Sequence, residues 1–228
     1  MVRGLRISVV IPCYNEAAGI RAVLAAVPDY VDEIVVVDNN STDGTGELAR
    51  TLGARVVTER RQGYGAAYKA GLPAAAGDVV ATLDGDNTYP AGEIGRLVEL
   101  LEDRGLDFIS ASRFPLSSPR AMSRLNVLGN RALTLATRLL FGWAMRDSQS
   151  GMWVFRRRVL PRLRLTSDGM PFSEEIKIEA RTVLGPRFAE VPIPFPHAER
   201  LGEVKLQRWR DGWENLSFLV RKRFGKVG

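Results

Sequence analysis

Three runs of apolar, mostly β-branched residues stand out along the chain: 7–11, 33–38 and 78–84, each followed at once by turn-forming polar residues. Unbroken apolar runs of this length fit strands buried on both faces. Between them the pattern turns helical, over 16–27, from 41–43 to about 52, over 65–76 and over 90–104. Shorter strands are expected at 55–58 and 107–112. Ser41, Thr42 and Asp43 are expected to cap the second helix, because their side-chain oxygens can take the unpaired amides of its first turn. Pro90 is expected to open the fourth. Strands alternating with helices predict an α/β fold with a mostly parallel central sheet flanked by helices. Ligands of such sheets sit at the carboxyl ends of the strands. Pro12–Glu16, Asp38–Ser41 and Asp84–Asp86 all follow strand ends and should meet along one crevice.

The second half reads differently. Residues 122–141 form an amphipathic helical pattern with Leu125, Leu128, Ala132, Leu135 and Leu139 on one face. Arg124, Arg131 and Arg138 recur every seven residues, a stripe that drifts only about 20° per heptad. Strands are expected at 152–156 and 187–193, and a helix at 173–183. From residue 199 a basic loop leads to an amphipathic helix over 209–224. The expected organisation is one domain, 1–198, with 199–228 as a basic extension belonging to it. No stretch of about 18 uncharged apolar residues occurs, so no membrane-spanning helix is expected.

The composition is that of a globular protein: 228 residues, 45% hydrophobic and 25% charged. A single cysteine, Cys13, excludes an intrachain disulfide and favours a reducing compartment. The start of the chain shows no targeting segment, so the expected location is the cytoplasm. A single histidine, His197, argues against histidine-rich metal sites. Charge changes the picture more. Residues 1–112 are net acidic, whereas 113–164 hold eleven arginines and one acid, Asp147. An arginine block suits bidentate contact with phosphates.

Asp84-Gly85-Asp86 carries the strongest chemical signal. Two carboxylates either side of a glycine, just beyond a buried strand, can share Mg²⁺ or Mn²⁺ and through it a diphosphate. A turn or helix cap is the alternative. Tyr14 offers a face for a flat base and Glu16 an acceptor for ribose or base, with a helix start capped by Asn15 as the alternative. Asp38–Thr45 combines capping with several acceptors for a nucleoside. No Gly-x-x-x-x-Gly-Lys-Ser/Thr phosphate loop exists, and Gly63-Tyr64-Gly65 only imitates a dinucleotide fingerprint.

Taken together and in this order, these residues resemble the family 2 glycosyltransferases of the GT-A fold, nearest to the dolichol-phosphate mannose synthase and polyprenyl-phosphate glycosyltransferase group. The resemblance is carried by Val10–Glu16, Val37–Thr45, Gly63–Ala67, Asp84–Pro90, Asp147–Met152, Phe172–Glu175 and Arg200–Leu206. It implies that Pro12, Tyr14 and Glu16 hold the nucleoside of a nucleotide-sugar donor, with Asp38 and Asn39 at base or ribose and Gly85 allowing close approach. Asp84 and Asp86, with Thr88, would hold the metal. Arg113, Arg131 and Ser150 match positions associated with an acceptor phosphate, and Arg200 and Lys205 a loop that closes over the donor phosphates.

The implied reaction is inverting transfer of a hexose from GDP-mannose or a UDP-sugar to a polyprenyl or dolichyl phosphate. A phosphate acceptor is mostly dianionic at pH 7 and needs no base. A hydroxyl acceptor would need one, and Glu175 is the candidate, with Glu174 second. Other classes remain open: a nucleotidyltransferase, or a nucleic-acid-binding module built on the arginines. Binding of nucleic acid is not expected, because Asp38, Asp84 and Asp86 would repel a polyanion. Many members carry C-terminal membrane helices; here Trp209, Trp213, Phe218 and Phe224, with Arg221, Lys222 and Arg223, are expected to seat the last helix peripherally on the inner membrane face or on a partner.

Overall fold

The computed structural model describes residues 1–118, 121–195, 201 and 207–225. Seven strands, β1 (Ile7–Cys13), β2 (Glu33–Asp38), β3 (Arg55–Thr58), β4 (Val79–Thr82), β5 (Phe108–Ser112), β6 (Trp153–Arg156) and β7 (Phe188–Pro192), form one sheet in the order β3-β2-β1-β4-β6-β5-β7. All are parallel except β6, which runs antiparallel between β4 and β5. The carboxyl ends of the other six therefore share one edge with the segment that leads into β6.

Helices cover both faces. α1 (Ala17–Ala26), α2 (Thr45–Thr51) and α4 (Glu93–Asp103) lie on one side, and α3 (Tyr64–Ala74) and α6 (Phe172–Leu184) on the other. Because side chains alternate along a strand, Val9 and Ile11 meet Ile20, Ile94 and Leu97, while Val10 and Val35 meet Tyr68, Leu72 and Phe172.

Two helices, α2 and α4, start later than the pattern predicts. Ser41 Oγ accepts from Asn15 N (3.0 Å), Thr45 Oγ1 from Glu16 N (2.8 Å) and Asp43 from Ala17 N (2.9 Å). The loop after β2 thus ties down the entry to α1, and α2 begins only at Thr45. Pro90 and Ala91 form a turn whose carbonyls accept from Glu93 and Ile94, so α4 begins at Glu93.

α5 (Arg124–Phe141) departs most from expectation. Ser123 caps its start, accepting from Asn126 N at 3.2 Å, and Gly142 ends it with a left-handed φ of 71°. A surface helix normally turns its apolar stripe inward. Here Asn130, Thr134 and Thr137 are buried, while Leu125, Leu128, Leu135 and Leu139 are exposed. α7 (Arg208–Phe224) packs against α5. It buries Asn215, Phe218 and Leu219, and Lys222 Nζ reaches Glu175 (3.4 Å) and Glu179 (2.6 Å). Phe218 and Lys222, expected on a membrane-facing side, are thus spent on packing. Trp209, Trp213 and Phe224 do face outward. Among the described residues no helix is long and apolar enough to cross a membrane.

Candidate active site

The loops at the shared sheet edge are held together by short-range contacts. The glycine of Asp84-Gly85-Asp86 is there because nothing larger fits: a Cβ on Gly85 would lie 2.8 Å from Cys13 Sγ and 3.1 Å from Glu16 Cγ. The loop after β4 is therefore pressed onto Cys13 and Glu16 at the end of β1. Pro12, Tyr14 and Asp84 are half-buried, and Glu16 and Asp86 buried. Tyr64 Oη, from the Gly63–Ala67 segment, donates to Asp84 Oδ1 at 3.4 Å. A Cβ on Gly151 would sit 3.2 Å from the same oxygen.

Asp86 is oriented by its own turn. Its Oδ1 accepts from Thr88 N (3.1 Å) and Thr88 Oγ1 (2.7 Å). Thr88, expected as a metal ligand, thus acts first as a brace for Asp86. Among the described residues no group of three or more His, Cys, Asp or Glu side chains is placed to hold a metal ion. Asp84 and Asp86 fit a hard divalent cation that keeps open positions for diphosphate oxygens, since Mg²⁺ typically takes one or two carboxylates plus substrate phosphates.

The neighbouring part of the edge is built by the loop after β2. Asp38 Oδ1 accepts from Ser41 N at 3.0 Å, and the carboxyl stays half-buried at the edge. Asn39 was expected at base or ribose; the structure turns its amide inward. Nδ2 donates to Glu59 O (3.0 Å) and Arg61 O (2.8 Å), and Oδ1 accepts from Gly63 N (2.8 Å). Asn39 holds the loop that starts α3.

Across the edge lies a buried charge network that the sequence pattern did not show. Arg113 follows β5, and its Nε and Nη2 both bind Asp147 at 2.8 Å. Asp147 is fully buried. Burial opposes its ionisation, but the Arg113 guanidinium more than offsets this and holds it at about 2. The same carboxylate keeps Arg113 charged, against the effect of its burial. Lys177 Nζ, also buried, donates to Ser150 O at 2.9 Å; burial brings it down to about 8, against the pull of Asp147. Glu174 accepts from Gln149 Nε2, burial pushes it up to about 8, and its Oε2 has no hydrogen-bond partner among the described residues.

Two expected residues are used internally. Ser150 is buried, and its hydroxyl donates to Ala111 O and approaches Tyr89 Oη at 3.5 Å, so it supports the loop into β6 and presents nothing to an acceptor. Glu175, the candidate base, is buried and saturated. It accepts from Thr166 N (3.0 Å), Ser167 N (2.8 Å) and Thr166 Oγ1 (2.8 Å), besides pairing with Lys222. It clamps α7 to the 166–167 loop. Arg131 is exposed on α5. Arg200, Lys205 and His197 lie outside the described residues, although Leu201, between the first two, donates from its amide to Asp86 O at 3.2 Å. The arginine block is divided: Arg156 and Arg158, with Arg187, pair with buried Asp107 at the opposite sheet edge.

Residues 8–164 match the family model described as Glycosyl transferase family 2. The chain belongs to glycosyl transferase family 2. Its sheet is that of the GT-A-like α/β fold, and glycosyl transfer is the chemistry of the family. The chain is 37% identical over 209 residues to a dolichyl-phosphate hexose transferase of Haloferax volcanii, covering 90% of this chain and 89% of that protein. It is 29% identical to an undecaprenyl-phosphate mannosyltransferase of Micrococcus luteus, covering 89% and 88%. The crystal structure of glucosyl-3-phosphoglycerate synthase from Mycobacterium tuberculosis with Mn²⁺, UDP and glucosyl-3-phosphoglycerate superposes with a TM-score of 0.76 at 27% identity, over 97% of this chain and 81% of that one.

Proposed function

We propose that the protein transfers a hexose, with inversion, from a nucleoside-diphosphate sugar to a polyprenyl phosphate. The observation that carries this reading is the pairing at one sheet edge of an acidic turn, Asp84 to Asp86, with an arginine, Arg113, locked to a buried counter-ion. The names of the two relatives point to lipid-phosphate acceptors, and the solved neighbour holds Mn²⁺ and UDP.

Pro12, Tyr14, Glu16 and Asp38 would receive the nucleoside, with Gly85 leaving room for the donor. Asp84 and Asp86 would hold Mg²⁺ or Mn²⁺, which when bound supplies positive charge to the departing diphosphate. Arg200 and Lys205 are assigned to the same phosphates on the resemblance. The acceptor phosphate oxygen attacks the anomeric carbon from the side opposite the leaving group. A new C–O bond forms as the bond to the nucleoside diphosphate breaks, and both electrons of the broken bond leave with the diphosphate. No proton has to be removed, because a phosphate monoester is mostly dianionic at pH 7. This agrees with a Glu175 that has no capacity left to act as base. Arg113, with Arg131 on α5, would position the acceptor. The Asp147 pair fixes the Arg113 guanidinium plane and leaves other N–H groups for a phosphate.

A polyprenyl chain stays in the bilayer, so the protein would work peripherally, on the cytoplasmic membrane face. Residues 199–228 would belong to the same domain as 1–198, since Lys222 pins α7 to α6. The test is product analysis. UDP- and GDP-hexoses are offered with Mn²⁺ and either a polyprenyl phosphate or the corresponding free prenol. The expected products are a hexosyl-phosphoprenol and a nucleoside diphosphate. Transfer to the free prenol alone, or release of pyrophosphate, would overturn the reading.

A further inference from the structure

We propose that the outward apolar stripes of α5 and α7 form one surface that docks on an anionic phospholipid bilayer. This deepens the lipid-acceptor reading and takes its purpose from it, although lipid binding itself can be measured without any acceptor. At about 100° per residue, Leu125, Leu128, Leu135 and Leu139 fall within roughly 80° of one another, opposite the buried Asn130, Thr134 and Thr137. The helix is therefore mounted with its oily side to solvent. On the neighbouring α7, Trp209 (88% exposed), Trp213 (71%), Leu216, Val220 and Phe224 recur on the face turned away from Phe218 and Leu219. Nine large apolar side chains exposed on two helices that touch are well beyond scattered surface hydrophobics.

The charges select the occupant. α5 holds Arg124, Arg131 and Arg138 beside its leucines and no acidic residue. The last turn of α7 adds Arg221 and Arg223. Of the acids in α7, Glu214 pairs with Arg210 at 3.0 Å and Asp211 accepts from Gln207 N at 2.7 Å. A self-paired copy would lay this arginine border on itself, whereas an anionic leaflet would neutralise it. Helices with an apolar stripe, tryptophans and basic flanks lie in the plane of the interface. The inner face of α5 supplies the link to the site: Thr134 Oγ1 accepts from Ser148 N at 3.1 Å, next to Asp147. The helix that would rest on lipid thus carries the loop that anchors Arg113.

The experiment is co-sedimentation with vesicles of phosphatidylcholine alone or mixed with phosphatidylglycerol. The wild-type protein is expected to bind the mixed vesicles and to release with salt. The Leu128→Glu/Leu135→Glu/Leu139→Glu variant should bind at least about tenfold less, with unchanged circular dichroism and unchanged transfer to a short, water-soluble prenyl phosphate. Trp209→Ala/Trp213→Ala provides the same loss from the other helix should the first variant fail to fold. Absence of wild-type binding, binding of both variants equal to wild type, or a solution dimer that the leucine variant splits would each overturn the proposal. Vesicle binding in a protein that glycosylates no prenyl phosphate would leave this surface standing while removing the acceptor reading.

Discussion

α4 and α5 carry similar amphipathic patterns and use them in opposite senses. α4 buries Ile94, Leu97, Val98 and Leu101 against the sheet. α5 buries Asn130, Thr134 and Thr137 and leaves its leucines outside. Periodicity fixes which residues share a face; what the face meets depends on the rest of the fold. Ahead of Ser112 the fold offers apolar sheet surface to every helix. Beyond it the neighbouring groups include a buried charge network, and polar side chains are what can satisfy the loop that carries it.

The contrast can be broken most sharply in that network. Asp147→Ala would leave Arg113 and Lys177 without their buried carboxylate. Breaking a buried pair from one side costs about 3–5 kcal/mol, and urea unfolding should show a loss of that size. An effect no larger than that of a surface substitution would mean that water compensates the charges. The two helices should then differ by substitution of equivalent leucines: Leu97→Ala should cost about 2–5 kcal/mol, and Leu135→Ala less than about 0.5 kcal/mol in the absence of lipid. Equal losses would return α5 to the ordinary inward arrangement.

A smaller effect follows from Glu174. Its folded-state value is raised from 4.5 to about 8, chiefly by burial. The folded protein therefore holds a proton that the unfolded chain has lost. That stability is complete below about 4.5 and is lost as the pH rises towards about 8. Lys177, lowered to about 8, contributes its own slope only above that value. The melting temperature should fall by at least about 4 °C between pH 5 and pH 8, and Glu174→Gln should remove more than half of that fall. An equal fall in the variant would assign the slope to other groups.

Much of the fold was legible because the first half is locally consistent: unbroken apolar strands, helices of period 3.6 and polar turns at the strand ends. Gly85 and the carboxylates beside it could be placed at the sheet edge from spacing and position. The missed features depend on contacts distant in sequence. Ser41 and Asp43 look like caps of the second helix, yet they also accept from Asn15 N and Ala17 N at the entry to α1. Asn39, Ser150 and Glu175 carry the polar groups a ligand would want, and protein partners take them first. Lys177 is one charge on a helix, with nothing local to mark it as buried. The arginine block looked continuous along the chain, but β5 and β6 deliver its members to opposite edges of the sheet.

In the proposed reaction Asp84 and Asp86 serve sugar transfer and are not needed for folding. The most direct test of this is hexose transfer to polyprenyl phosphate by wild type and Asp86→Asn, with Mn²⁺ and with a chelator. The variant is expected to lose at least about 10²–10³ in rate, with a comparable loss in chelator and a melting temperature close to wild type. Near-normal transfer in the variant, or in wild type stripped of divalent cations, would contradict that role.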